Sequence, residues 1–338
     1  MGKSQERSGM NELRRFVAVR TAVVCIGITG ATFSGFGATV DVTQAVDDRV
    51  PFADPYILYH DGVYYAYGTY RSDGGIGVAT STDLRTWDFW VGKAKDGYAL
   101  AKGDAFGKRN FWAPEVYRLG DRFVMYYSSQ LRVCAAESKS PLGPFVNDSP
   151  EPIIAGVPAI DNSLFVDADG SLKMVFARLE GGNIAWMTDM QPDALREQYG
   201  NRRFLLQAEL PWERYSGKIS EGPFLILHDG VYYLTYSCND YKDKRYSIGL
   251  ATATSVNGPW KKREAGPIMC RFGGLNGTGH HSFFRDAAGK WRIAFHAHSS
   301  DSEVHPRHMY IADVKFVRDA QNEPTLEIGG ELITCRLR

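Results

Sequence analysis

One β-hairpin is written five times along this chain, and no other feature restricts the fold so tightly. The clearest copy runs from Ser220 to Ser237, where two apolar runs meet at Asp229-Gly230, a dipeptide that tolerates the positive φ angles of a tight hairpin turn. His60-Asp61-Gly62-Val63-Tyr64-Tyr65 repeats the same turn and strand start. Gly120-Asp121 leads into Phe123-Val124-Met125-Tyr126-Tyr127, Asp169-Gly170 into Leu172-Lys173-Met174-Val175-Phe176, and Ala288-Gly289 into Trp291-Arg292-Ile293-Ala294-Phe295-His296. A third apolar segment follows each hairpin, at 76–80, 133–137, 184–188, 248–252 and 309–313. A period of roughly 50 to 60 residues with at least three strands per unit is the signature of radially repeated antiparallel sheets. The chain is therefore expected to be all-β, a five-bladed β-propeller.

Residues 1–40 differ from the rest. Arg14, Arg15 and Arg20 flank and precede an apolar, small-residue run from Thr21 to Ala38, which reads as a signal peptide or N-terminal targeting segment, with the propeller over 41–338. The run is short and interrupted for a membrane anchor, the twin arginines are followed by a poor match to that class of signal, and Ala22-Val23-Val24 makes Cys25 a weak lipidation site. A secreted or periplasmic location follows, with no stable membrane insertion after signal removal. Lys plus Arg and Asp plus Glu are both 39, so no polyanion-binding field exists and nucleic acid is excluded as the natural partner. Cys134, Cys238, Cys270 and Cys335 match no zinc spacing and read as free thiols, a disulfide remaining open in a secreted protein.

Three details complete the organisation. Residues 192–199 read as a short helix, and 210–216, just upstream of Glu221, as a loop overhanging the site that Glu221 serves. Thr325-Leu326-Glu327-Ile328, pairing with the chain start near Val50, is expected to close the ring, since propellers must protect their edges.

In a propeller the first strand of each blade lies innermost, so residues at the starts of those strands converge near the axis. Here they are Asp54, Ala113, Asp161, Glu221 and His280, with Glu115 two residues beyond Ala113 on the same face of its strand. Any one acid alone is better explained as a strand-end cap or turn former facing solvent. Three carboxylates and a histidine at repeat-equivalent positions are costly unless water, an ion or a substrate satisfies them. Glycoside hydrolysis uses such a set: one acid protonates the leaving oxygen and, at a separation of about 6.5–9.5 Å, a second carboxylate activates water for inversion. The third would raise the acid's pKa by like-charge repulsion.

Ala53-Asp54-Pro55-Tyr56, Phe111-Trp112-Ala113-Pro114-Glu115-Val116, Ile160-Asp161-Asn162-Ser163, Ser220-Glu221-Gly222-Pro223 and Gly277-Thr278-Gly279-His280-His281-Ser282-Phe283 occur in this order at blade spacing. The set resembles glycoside hydrolase family 43, five-bladed propeller enzymes acting by inversion on arabinose- and xylose-containing polysaccharides, across essentially all of residues 50–316. The resemblance implies that Asp54 is the general base, Glu221 the general acid and Asp161 the residue that tunes and orients the acid. It places His280 at the family's axial histidine, beside which a structural calcium or other cation can sit through water; one histidine makes a poor calcium cage, and no cofactor is required. Trp112 and Phe111 are stacking candidates for the sugar, against core packing between blades. Arg307 matches an arginine reaching the sugar from the last blade, and Glu115 is counted among the substrate-binding residues. His296 and His298 alternate along one strand and read as a satisfied polar pair.

Family members that cut arabinan internally typically carry a histidine where Ala53 stands, which favours an exo-acting enzyme. Pro223-Phe224 stands where many relatives have a histidine near the acid. The resemblance thus implies an inverting exo-glycosidase that removes terminal α-L-arabinofuranosyl or β-D-xylosyl residues from plant-type glycans. The alternatives are an inert propeller that binds glycans through the same face and a galactan-cleaving relative.

Overall fold

The computed structural model describes residues 47–148 and 151–338, so the targeting segment expected over 1–40 lies outside the described residues, as does Cys25. Five antiparallel sheets follow one another in chain order, as the repeats require. Their innermost strands are Ala53–His60, Trp112–Leu119, Ala159–Val166, Ser220–His228 and Gly279–Arg285, opening blades I to V. Each pairs with the strand after its hairpin turn, Val63–Thr69, Arg122–Ser129, Leu172–Leu179, Val231–Cys238 and Trp291–Ala297, and then with a third strand. In blades I and IV the turns span two residues, and Asp61, Gly62, Asp229 and Gly230 all have positive φ, the geometry that Asp-Gly permits. Aromatic and β-branched side chains fill the space between sheets: Trp87, Tyr67, Tyr126, Tyr127, Tyr236 and Phe295 are fully buried.

The ring closes differently from the expectation. Thr325–Ile328 falls in the strand Pro324–Thr334, which pairs with His308–Arg318 as the outer strand of blade V. The partner of the chain start lies further on: Val50 N donates to Cys335 O at 2.9 Å, and Arg336–Leu337 adds in parallel to Thr86–Phe89 of blade I. The last residues thus bind the outer edge of the first blade.

The segment 192–199 forms no helix. Ala194 has φ 60°, Glu197 bridges to Met190, and Glu197 pairs with Arg202, so tertiary partners pull the backbone away from a helical path. Cys134, Cys238 and Cys335 are buried free thiols and Cys270 an exposed one.

Candidate active site

Every innermost strand carries a bulge near its start. Strand pairing slips between Ala53 and Tyr56, Trp112 and Glu115, Ile160 and Ser163, Glu221 and Phe224, and Gly279 and Ser282. One residue in each bulge has positive φ: Asp54 (51°), Ala113 (45°), Asp161 (57°), Gly222 (51°) and His280 (41°). Four of these five are not glycine, and holding such backbone costs on the order of 1–3 kcal/mol per residue, a strain that clusters where a site needs it. The register corrects one expectation. Gly222, not Glu221, is the counterpart of Asp54, Asp161 and His280, while Glu221 shares its position with Ala53, Trp112, Ile160 and Gly279.

Because the bulge takes each axial N–H out of the strand ladder, a partner must come from elsewhere. It comes from the preceding blade. Ala113 N donates to Thr69 Oγ1 (2.9 Å), Asp161 N to Ser128 Oγ (2.9 Å), His280 N to Ser237 Oγ (2.9 Å) and Asp54 N to His296 Nδ1 (3.1 Å). Blade III offers only Ala177 at that place, opposite Ile160, and Gly222 N turns instead to Asp161 Oδ2 at 3.3 Å. The Asp161 carboxylate is thereby tied to the residue next to Glu221.

Above the bulges lies a cavity of about 530 Å³ walled by all five blades, with Tyr70, Arg71, Trp112, Tyr241, His305 and Arg307 around a floor of Asp54, Asp161, Glu221 and His280. Asp161, Glu221 and His280 bring ligand-type atoms within 4.8 Å of one another, and His280 Nδ1 is 3.4 Å from Asp54 Oδ1. Trp112 and Arg307 are where the sequence placed them. Phe111 is not: it is fully buried and stacked on Tyr127, so it meets core, not ligand. The loop 210–216 contributes nothing to the lining. Glu213 instead anchors it sideways, fully buried and paired with Lys262.

Partners that no sequence pattern announced hold the acids. Tyr246 OH donates to Glu221 Oε1 (2.8 Å) and Asn183 Nδ2 to Oε2 (2.6 Å). Thr69 Oγ1 donates to Asp54 Oδ2 (2.6 Å) and Arg307 Nη1 to Asp54 Oδ1 (2.9 Å), the Arg307 guanidinium lying 4.5 Å over the Tyr241 ring. Tyr241, Tyr246 and Arg307 come from connecting loops, Asn183 from the start of a third strand and Thr69 from the end of the second strand of blade I.

The environments drive the carboxyls apart. Burial pushes Asp54 up, but Arg307, His280 and His296 outweigh it and hold Asp54 well below the usual carboxylate range. Burial, helped by the Asp54 charge and opposed by the Tyr246 and Asn183 hydrogen bonds, pushes Glu221 up to about 7. Asp161 is raised well above its ordinary value by burial, then by the charges of Glu221 and Asp54. One carboxylate is thus held in its ionised form while its neighbours are pushed toward the protonated one, the division that separates a base from an acid.

Glu115 faces away from this cavity. It lines a small void on the propeller axis beneath the bulges, about 10 Å³, together with Asp54, Asn162, His280 and His281. Burial pushes Glu115 up to about 8, against a hydrogen bond from Tyr117 OH. Both amide atoms of Asn162 and Nδ1 of His281 lack partners. A calcium ion takes six to eight oxygens at about 2.3–2.6 Å, whereas a void of this size suits a single water, and of its side-chain oxygens those of Asp54 are already held by Thr69 and Arg307. These residues do not fit a calcium cage.

The model of glycosyl hydrolases family 43 matches residues 49–321. An Aspergillus niger β-D-galactofuranosidase is 25% identical over 283 residues, 76% of this chain and 78% of the relative. A Streptomyces avermitilis extracellular exo-α-(1→5)-L-arabinofuranosidase is 24% identical over 82% of this chain and 61% of its own length. Among solved structures, an endo-1,4-β-xylanase from Bacteroides thetaiotaomicron superposes with a TM-score of 0.79 at 37% identity, covering 86% of this chain and 98% of that one. A thermostable family-43 glycoside hydrolase gives 0.74 at 30% identity, covering 83% and 93%.

Proposed function

Since the chain belongs to glycosyl hydrolases family 43, we propose that it is an inverting, exo-acting glycosidase that releases terminal α-L-arabinofuranosyl or β-D-xylosyl residues from plant-type glycans. The observation that carries this reading is the split in protonation within one cavity, Asp54 held low by Arg307 while Glu221 is pushed up to about 7.

The roles follow from chemistry. Asp54, ionised and anchored by Thr69 and Arg307, takes a proton from the water that attacks the anomeric carbon. Glu221, still protonated, gives its proton to the leaving oxygen. Asp161, tied to Gly222 N, fixes the strand start that carries the acid. Trp112, at the cavity wall, offers a ring face to the sugar. The proposed steps use side chains and water alone.

Exo action is favoured by the cavity's shape. Residues of all five blades wall it, and a volume of about 530 Å³ is that of a small-ligand pocket. Residues poised for acid–base work argue against an inert glycan-binding propeller. Secretion is part of the reading: relatives such as the Streptomyces avermitilis enzyme are named extracellular, and no helix among the described residues is long and apolar enough to cross a membrane.

A screen of aryl glycosides of arabinofuranose, xylose and galactose, followed by proton NMR of the first-formed anomer, tests substrate and stereochemistry together. Initial retention of configuration would refute a water held by Asp54. On an alkyl glycoside of the sugar so found, whose leaving group needs a proton, Glu221→Gln is expected to cost about 10²–10⁴-fold in kcat with folding intact; unchanged turnover there would overturn the acid assignment.

A further inference from the structure

The residues that face the axial bulges from the second strands are Thr69, Ser128, Ala177, Ser237 and His296, one per blade. In blades I, II and IV a hydroxyl there accepts the axial N–H of the next blade. Ser128 and Ser237 show that a serine suffices for that task. Blade V spends a full imidazole on it, buried without exposed surface, and the N–H it faces is that of Asp54.

The extra atoms have partners. His296 Nδ1 lies 3.1 Å from Asp54 N and 3.3 Å from Asp54 Oδ1, and Nε2 lies 3.2 Å from Arg307 Nη1. Burial and the neighbouring Arg307 hold the ring neutral, so it has one N–H and one acceptor nitrogen. With the proton on Nε2, Nδ1 accepts the Asp54 backbone N–H. With the proton on Nδ1, that N–H turns to the Asp54 carboxylate and Nε2 accepts from Arg307. Either tautomer ties the ring to Asp54. The ring is itself fixed by stacking on Tyr246, centroids 5.6 Å apart and planes 10° from parallel.

We propose that His296 is the positioning residue of Asp54: bonded through Nδ1 to its backbone N–H or to its carboxylate, and set through Nε2 against the Arg307 guanidinium, the ring keeps the base and Arg307 in one arrangement. The proposal rests on the reading of Asp54 as general base. A ring that served only as an inter-blade cap would be replaceable by serine, as in blades II and IV. One that aims the base is not, because serine reaches the N–H but neither the carboxylate nor Arg307. Asparagine, whose side chain carries polar atoms near the place of Nδ1, is the conservative substitute.

The experiment compares wild type, His296→Ser, His296→Asn and Asp54→Ala on two substrates with the same sugar, one with a nitrophenyl and one with an alkyl leaving group. Thermal unfolding of each variant shows that it is folded. For His296→Ser, kcat is expected to fall about 10- to 100-fold on both substrates by the same factor, with KM within about threefold, and His296→Asn to recover most of the loss. If Asp54→Ala is inactive while folded His296→Ser keeps kcat within about threefold of wild type, His296 is only a cap and the proposal is overturned. It is equally overturned if KM alone rises, which would place the effect on substrate binding, or if the loss is confined to the alkyl substrate, which would place it on Glu221 through Tyr246. Should His296→Ser not fold, His296→Thr, which carries the hydroxyl cap that Thr69 supplies in blade I, takes its place and is judged by the same kcat criterion. An active Asp54→Ala would instead refute the base assignment beneath the proposal.

Discussion

Removing one hydroxyl should move the alkaline limit of this enzyme upward. Tyr246 OH donates to Glu221 Oε1 at 2.8 Å, and that bond stabilises the ionised acid, so it holds the Glu221 pKa below where burial alone would put it. Tyr246→Phe deletes the donor and keeps the ring stacked on His296. A hydrogen bond to a charged group contributes about 1.5–3 kcal/mol, and one pKa unit corresponds to about 1.4 kcal/mol. The Glu221 pKa, about 7 in the native protein, should therefore rise by about one unit or more. Since the acid must be protonated to act, the falling limb of kcat/KM, which reports the free enzyme, should shift by the same amount toward alkaline pH. A kcat/KM profile from about pH 5 to 9 on an alkyl glycoside, whose departure requires the acid's proton, reads the shift. A limb that stays in place, or moves toward acid, would refute the assignment of Glu221 as the group titrating there.

Two other outcomes test the frame. Glu213 is fully buried and receives Lys262 Nζ at 2.8 Å together with the N–H groups of Glu209 and Leu210, so Lys262→Met leaves a buried charge without its counterion and should lower stability to urea by about 3 kcal/mol; a loss below about 1 kcal/mol would show the pair to be dispensable. Of Cys134, Cys238, Cys270 and Cys335, only Cys270 is exposed, so iodoacetamide followed by peptide mapping of the native protein should find that one of the four modified, and prior labelling of Cys134 would contradict the packing of blade II.

What the sequence disclosed was what the fold repeats. Five hairpins could be read because Asp-Gly turns and apolar pairs recur at a fixed spacing, and Asp54, Asp161 and His280 could be read because they recur with them. Glu221 was found but misplaced by one residue, since a bulge adds a residue without changing composition; Gly222, which alone among the five needs no side chain, was the signal available. Tyr246, Asn183 and Thr69 stayed hidden because no recurring residue type marks their positions: they reach the acids from a connecting loop, the third strand of the preceding blade and the end of a second strand. The closing strand was missed because a pairing of two residues, Arg336–Leu337 on Thr86–Trp87, is too short to leave a pattern. Phe111 was misjudged through its neighbour: it lies just before the strand that starts at Trp112, and its ring packs into the core on Tyr127 while Trp112 lines the cavity.

The bulges carry a consequence for which side chains this face can ever display. Left-handed backbone admits Gly freely and, among the rest, chiefly Asn, Asp and His. Three of those four are the short-armed residues of acid, base and ligand chemistry. Ala113 apart, the positions of the ring hold residues from that vocabulary, and Asp54, Asp161 and His280 are the proton-transferring words drawn from it. Glutamate lies outside that vocabulary. To use its longer arm the chain sets Gly222 in the left-handed place and seats Glu221 one residue before it, so the acid is the single member of the group free to be exchanged without disturbing the geometry of the ring.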